Sequence, residues 1–313
     1  MAQAEIAIIG AGLAGLACAR ALQAAGHAPV LFDKSRGVGG RLATRRAEGG
    51  LSFDHGAQFV TARTRGFADM LDRARQAGWA AAWDTGNPEV QMVGTPGMNG
   101  IAKHMAEGLD IRLGVAARSV TQVDDGWRID SDDELWICER VVLALPAPQA
   151  MTLLGDRNPL TQEISAVEMA PCFALMARFE DEAPAPFTAR RDREDVLDWI
   201  ALNSSKPGHK GPPCWVAHAA PDWSQEHLER PLEEIAAMML PMLCDRLGVD
   251  PASARHVAAH RWRYARVTSA LGAPFSSNAA GTLYSGGDWC LGARAECAWE
   301  SGTTIARHIV GSE

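Results

Sequence analysis

Three glycine-rich clusters hold the residues whose types and spacing suit cofactor chemistry. Gly10-Ala11-Gly12-Leu13-Ala14-Gly15 follows a short apolar run, Ile6-Ala7-Ile8-Ile9, and opens an Ala- and Leu-rich stretch that ends at Gly26. In a GxGxxG turn one glycine makes the bend, one lets backbone approach a pyrophosphate, and one lets helix and strand pack closely. The helix start then offers free N–H groups to phosphate oxygens. Asp33 stands eighteen residues beyond Gly15, at the end of a second apolar run over 29–32. An acid there accepts hydrogen bonds from both ribose hydroxyls of an adenosine and repels a 2′-phosphate. This strand–turn–helix–strand order makes Gly10, Gly12, Ala14, Gly15 and Asp33 candidates for gripping a dinucleotide.

The second cluster, Arg36-Gly37-Val38-Gly39-Gly40-Arg41, comes just after Lys34. A simple NAD-binding unit continues into another helix at this point; here a second glycine pair is flanked by guanidinium groups. Arg41 is a candidate for charge-assisted bonds to a diphosphate, and Lys34, Arg36 and Gly40 join it as cofactor candidates. The third cluster, Gly286-Gly287-Asp288, lies between a short strand at 282–285 and a terminal helix over about 295–309. Asp288 suits the hydroxyls of a sugar-alcohol chain, and the helix behind it points positive charge at whatever lies ahead. If that is the pyrimidine edge of a flavin, the dipole stabilises the anion formed on reduction.

The elements that position these clusters read as α/β: a Rossmann-type cofactor domain with an inserted α+β domain. Leu13–Ala25, Phe67–Gly78, Ile101–Glu107 and Leu232–Leu247 have helical character, and Val115–Ile137 alternates as an antiparallel ribbon. Arg140–Pro146 reads as a buried strand. The division predicted is 1–60, 97–150 and 262–313 for the cofactor domain, and 61–96 with 151–261 for the substrate domain.

Composition narrows the partners. A net charge of −8 gives no global basic field for nucleic acid or an anionic membrane. The seven cysteines are scattered, odd in number and without a CxxC pair, which fits a reducing cytoplasm. Arg20 cuts the opening apolar run short of a membrane span. His256 and His260, four apart, lack the further ligands of a metal site. No GxSxG supports serine hydrolase chemistry.

Taken together, GxGxxG, the acid, RxxGGR, Phe53-Asp54-His55-Gly56-Ala57-Gln58-Phe59 and the closing Gly287-Asp288-Trp289 with Glu296-Cys297-Ala298-Trp299 resemble the flavin-dependent amine oxidase superfamily, and within it the renalase-like branch of bacteria. The resemblance extends through 199–208, 215–224 and 260–265. It implies a glutathione reductase-like FAD domain, non-covalent FAD, and a substrate domain inserted into it. It also implies hydride transfer to flavin with reoxidation by O2 to H2O2, acting on dihydropyridine isomers of NAD(P)H. It adds Gln58, Phe59, Gly287 and Ala298 to the cofactor candidates. Two positions depart from the pattern: Cys297 stands where glycine is frequent, and Ala117 is the expected counterpart of a valine beside the adenine.

Hydride transfer to a flavin asks the protein for orientation and water exclusion more than acid–base groups. Trp289, Gln58, His218, Arg261 and Tyr264 are therefore the catalytic candidates, with Trp199, Asn203, Trp215 and Trp262 as further pocket walls. Lys206 and Arg261 are candidates for holding substrate phosphates. Two other functions stay open: an FAD amine oxidase or desaturase acting on another small molecule, and a flavin-free protein that senses a nucleotide. The expected partner is a small molecule, with the chain a monomer or dimer.

Overall fold

The computed structural model describes residues 2–311 apart from Asp125, Asp133 and Lys210. An eight-stranded sheet carries the cofactor motifs. Its central strands run parallel in the order Leu283–Ser285, Leu135–Leu143, Ala2–Ile9, Val30–Asp33 and Asp110–Leu113. The opening strand is apolar on both faces because both are covered: Ile6 and Ile8 enter one core, Ala7 and Ile9 the other. Ala117–Val123 and Gly126–Ser131 form the expected ribbon, which pairs antiparallel with the first half of Leu135–Leu143. That strand is longer than its buried half, Arg140–Leu143, suggests, since its start pairs with the ribbon.

Helices from the two ends of the chain lie against each other. Leu13–Ala24 crosses Ala295–Gly311 so closely that a Cβ on Gly302 would sit 2.0 Å from the Ala14 carbonyl oxygen. The contact holds the closing segment over the glycine-rich turn.

The inserted sheet is five-stranded and antiparallel, in the order Ala189–Arg191, Leu197–Leu202, Cys214–Ala219, Glu168–Phe179 and Ala254–Ser269. Helix Leu232–Leu247 covers one face, packing Ile235, Met239 and Leu243 on Phe173, Leu175 and Trp215. The other face looks toward the 53–59 segment.

The structure moves the predicted domain limits. Strand Ala254–Ser269 belongs whole to the inserted sheet, so a boundary at 262 would cut it. Helices Ala147–Leu154 and Pro159–Ile164 pack on the cofactor sheet through Ala147, Ala150, Leu160 and Ile164. Within 61–96, Phe67, Met70, Trp83 and Val93 share a core with Ile8 and Leu16, and also with Trp199 and Ala201. That stretch bridges the two sheets.

The helix crossing generates a prediction. Gly302→Ala should lower the unfolding free energy by about 1–3 kcal/mol, the usual cost of overpacking a close contact. Urea denaturation measures it, and a change within about 0.5 kcal/mol, typical of a neutral surface site, would refute the contact.

Candidate active site

The GxGxxG turn separates into glycines the protein needs and one it does not. Gly10 has φ 110°, and a Cβ there would lie 2.4 Å from the Ala144 oxygen; a Cβ on Gly15 would lie 1.9 Å from the Gly10 oxygen. Gly12 has an ordinary φ of −77°, and a Cβ there meets nothing within 4 Å. Asp33 is fixed beside the turn, Oδ2 accepting from the Ala11 N–H at 2.8 Å and Oδ1 from the Ser35 N–H at 2.8 Å. The Gly39 N–H donates to the Ala11 oxygen at 2.8 Å, joining the second glycine loop to the first. Lys34, Arg36 and Gly40 are exposed along this loop.

Arg41 ties the segments together. Its guanidinium donates to both Asp288 oxygens, at 2.8 and 2.5 Å, and to the Ala265 carbonyl at 3.0 Å. Its own carbonyl accepts from the Ala57 N–H at 2.8 Å. Asp288 is buried, which makes this a bidentate pair of the strong kind. The two residues read separately as diphosphate and sugar-alcohol ligands thus hold each other. The Gly287 N–H donates to Ser301 Oγ at 3.0 Å. Glu296, in the first turn of the closing helix, accepts from the N–H groups of Arg63 and Thr64 and from Thr64 Oγ1.

The 53–59 segment hides a charge network that the sequence does not announce. Asp54 accepts from Thr44 Oγ1 at 2.7 Å and the Met98 N–H at 2.8 Å, and contacts His209 Nε2 at 2.9 Å and Lys206 Nζ at 3.3 Å. Lys206 also donates to Gln58 Oε1 at 3.2 Å and lies 5.2 Å over the Trp83 ring. Burial works to raise the Asp54 carboxyl, but Lys206, His209 and the Met98 N–H outweigh it and hold it well below the usual carboxylate range. Burial lowers Lys206, with Asp54 opposing. Asn203 caps the network, accepting from the Asp54 N–H at 3.1 Å and donating to the Ser52 carbonyl at 3.0 Å. Lys206 is therefore not a solvent-facing phosphate ligand. Its partners are about 150 positions away in sequence, so spacing gave no signal for it.

Sheet parity sorts the pocket candidates. The register aligns Arg191, Trp199, His218, Ala174 and His260 across all five strands, on the face toward 53–59. Phe59 lies 5.6 Å from Trp199, His218 Nε2 is 3.2 Å from the His55 oxygen, and His55 meets His260 and Trp262 at 4.6 and 5.1 Å between rings. The Trp262 N–H donates to the His55 carbonyl at 2.8 Å. Trp215 and Arg261 fall on the opposite, helix-covered face. Trp215 is fully buried there, and Arg261 lies over Phe173 and donates to the Arg230 carbonyl. Neither can line a pocket at 53–59. Trp289 also leaves the candidate wall: it is fully buried in the cofactor-sheet core, its N–H on the Leu145 carbonyl at 2.8 Å. Tyr264 stays half-buried on the same strand, beyond Trp262. His256 stacks on Phe53 and His260 contacts His55 and Trp262, so these two histidines serve ring packing.

The imidazoles of this face are neutral at pH 7. Burial pushes His55 down to about 3, with His260 and Arg45 adding to it. Burial, with Lys206 and Arg191, pushes His218 to about 4; burial, with Arg45, does the same for His260. Burial raises the Cys290 thiol to about 12 and raises Cys297 as well, so neither is a ready nucleophile.

Comparison with known proteins fits this geometry. The description of flavin-containing amine oxidoreductases matches residues 73–310, and that of NAD(P)-binding Rossmann-like domains matches 8–74. The chain belongs to the flavin-containing amine oxidoreductase family. It is similar to 15-cis-phytoene desaturase of Synechococcus elongatus, 43% identical over 52 residues, 17% of this chain and 11% of that protein. A 4,4'-diapophytoene desaturase of Staphylococcus haemolyticus is 44% identical over 55 residues, 18% of this chain and 11% of that one. The matches thus span about a tenth of these curated relatives. In fold, the chain resembles a putative protoporphyrinogen oxidase from Exiguobacterium sp. 255-15 (TM-score 0.79, 14% identity, 99% of each chain). It also resembles cyclohexylamine oxidase from Brevibacterium oxydans IH-35A (TM-score 0.73, 13% identity, 99% of each chain).

The residues present fit FAD. Gly12 is glycine where the protein's own packing tolerates a methyl group, which is what close approach by a diphosphate requires. Gly10, Gly12 and Gly15 with Asp33 would hold the adenosine diphosphate half. The Arg41–Asp288 pair and Gly287 would hold the flavin half. Ala14 serves the helix crossing at Gly302, and Ala298 is buried in the core. Val115 lies beside Asp33, its N–H donating to the Asp33 carbonyl at 3.0 Å.

Three measurements follow. Gly12→Ala should leave the unfolding midpoint of the flavin-free protein unchanged while weakening FAD binding at least tenfold by fluorescence titration; equal loss of both would place its role in folding. Lys206→Met should destabilise by about 3–5 kcal/mol, the cost of stranding a buried carboxylate; a near-neutral result in urea would show Asp54 content without it. Stability should also fall on acidification. Between about pH 6.5, the ordinary histidine value, and about pH 4, the unfolded chain takes up protons that folded His55, His218 and His260 refuse. Denaturation at pH 7 and 4.5 reads this slope, which His260→Gln should make shallower; a flat profile would contradict neutral imidazoles.

Proposed function

We propose that the protein is a renalase-like FAD oxidase, with non-covalent cofactor, that returns dihydropyridine isomers of NAD(P)H to NAD(P)⁺. The observation that carries this reading is the composition of the row facing 53–59: Arg191, Trp199, His218, Ala174 and His260 supply flat rings, neutral imidazoles and a cation, and no acid. A neutral, planar dihydropyridine with an anionic tail suits such a surface. A protonated amine meets Arg191 and Arg45, cations that act on these histidines, and gains nothing from them.

Bound FAD supplies a two-electron hydride acceptor, so that dihydropyridine, O2 and one proton give pyridinium and H2O2. The chain's own residues orient and shield. Half-buried Phe59, backed by Trp199, offers an aromatic face to a flat ring. Lys206 and Asp54 hold Gln58 from beneath, because its side-chain amide is bound at both ends, Nε2 to the Asp54 and Gly56 carbonyls and Oε1 to Lys206. The neutral imidazoles make no demand for a counter-ion in a site that must exclude water. No step of hydride transfer from a dihydropyridine needs a protein base.

An amine oxidase or desaturase is the alternative. It draws on the carotenoid desaturase likeness, confined to a short segment of this chain, and on shared fold with amine oxidases.

Anaerobic mixing of the yellow holoenzyme with borohydride-derived dihydro-NAD isomers distinguishes the two. We expect loss of the visible flavin bands, and their return in air with one H2O2 per dihydropyridine consumed. Bands that persist with every isomer but fade with an amine panel would overturn the proposal.

A further inference from the structure

A cavity of about 320 Å³ is lined by none of the residues assigned above to the cofactor or the aromatic row. Three stretches of chain meet there. They are the hairpin of Arg45–Arg46 and Ser52–Phe53, the turn at 96–99 with Lys103 of helix Gly100–Ala106, and Gly208 beyond the inserted strand Leu197–Leu202. Close backbone approaches fix its walls. A Cβ on Gly97 would lie 2.7 Å from Thr44 Oγ1, and one on Gly208 would lie 3.0 Å from the Pro96 Cα. Arg46, Lys103 and Asn99 bring two cations and an amide to the lining, and among the described residues no acid lines it.

Thr44 and Ser52, which also line the cavity, join it to the Asp54 network. Thr44 Oγ1 donates to Asp54 at 2.7 Å. The Asn203 amide is oriented by the Asp54 N–H and the Ser52 carbonyl, so its Nδ2 donates to His209 Nδ1 at 3.1 Å. The His209 proton is then on Nε2, facing Asp54 at 2.9 Å, and Ser52 Oγ donates to Nδ1 at 3.2 Å. Both hydroxyl hydrogens are thus committed, and Lys206 matches the Asp54 charge. Arg46, Lys103 and the Asn99 amide remain for a ligand: among the described residues none of these side chains makes a hydrogen bond or ion pair. Arginines without an acid partner occur elsewhere on this surface, exposed Arg73 among them. Here two cations and an amide share one concave space without an acid, in a chain of net charge −8. Such a lining concentrates anions. A guanidinium fork, an ammonium and an amide donor together match the several oxygens of a phosphate.

We propose that this cavity is an anion site that takes a phosphate group, held between Arg46 and Lys103 with the Asn99 amide as a third donor. It is separate from the seat of the cofactor's diphosphate and independent of which substrate reduces the flavin. The occupant is free phosphate or the phosphate of a small ester.

Calorimetric titration of the holoenzyme with inorganic phosphate, pyrophosphate and glycerol phosphate tests it. Wild type should bind at least one of the three, more weakly as salt rises, and the order of inorganic phosphate and glycerol phosphate tells a free anion from an ester. Arg46→Met and Lys103→Met should each weaken that binding about tenfold or more, the worth of a charged hydrogen bond. Both side chains lack partners, so the variants should keep the visible flavin bands and the wild-type melting temperature. Arg73→Met, which removes an equally unpaired arginine from helix Arg65–Gln76, should leave the affinity within about twofold. Three results would overturn the proposal. One is that none of the three anions binds. Another is that Arg73→Met costs as much as Arg46→Met, which would make the binding a general surface-charge effect. The last is binding that occurs only after flavin is removed, which would place the anion in the cofactor's own diphosphate seat.

Discussion

Arg41 is the residue on which the site's construction depends. Its side chain holds Asp288, 247 positions away, and the Ala265 carbonyl on the longest strand of the inserted sheet. Its backbone holds Ala57 of the 53–59 segment. One guanidinium thus joins the glycine-rich loop, the closing turn and the substrate sheet. A buried, bidentate arginine–carboxylate pair has little positional freedom. The cofactor cradle and the substrate face are consequently set relative to each other by a fixed contact rather than by a hinge.

A second constraint acts from below. Asp54 and Lys206 are both fully buried, and Lys206 reaches Asp54 from the inserted sheet. Buried ion pairs add little net stability over apolar packing, but breaking one is costly. The pair therefore acts as a register pin. It admits one seating of the 53–59 segment against strands Leu197–Leu202 and Cys214–Ala219, and that seating brings Phe59 to Trp199 and His55 to His218.

Much of this was legible in the sequence where the signal is local. The opening strand, turn and helix, the acid at 33, the ribbon before Leu143 and the helix at 232–247 all express periodicity or turn chemistry within a few residues of each other. What the sequence hid was long-range. Arg41 and Asp288 both read as ligand residues, and nothing in their neighbourhoods says that they pair. Lys206 reads as a surface lysine until its partners at 54 and 58 are in place. Trp215 and Arg261 look as good as Trp199 and His218, because strand parity sorts them only once the register is known, and that register includes irregularities at 170–172 and 197–199. Trp289 adjoins a cofactor motif, yet its side chain turns into the core behind it. The domain limits missed for a similar reason: 61–96 and 147–164 choose their sheet by which apolar face they cover, which composition does not reveal.

The central claim is that both ends of the chain enclose a single FAD, held without a covalent bond. The absorbance spectrum of the purified protein, taken before and after acid precipitation, tests it most directly. The account predicts the two visible bands of oxidised flavin in the native protein and their full recovery in the supernatant after precipitation. A colourless protein whose melting temperature rises with NAD and not with FAD would contradict it, and flavin retained in the precipitate would contradict the non-covalent mode.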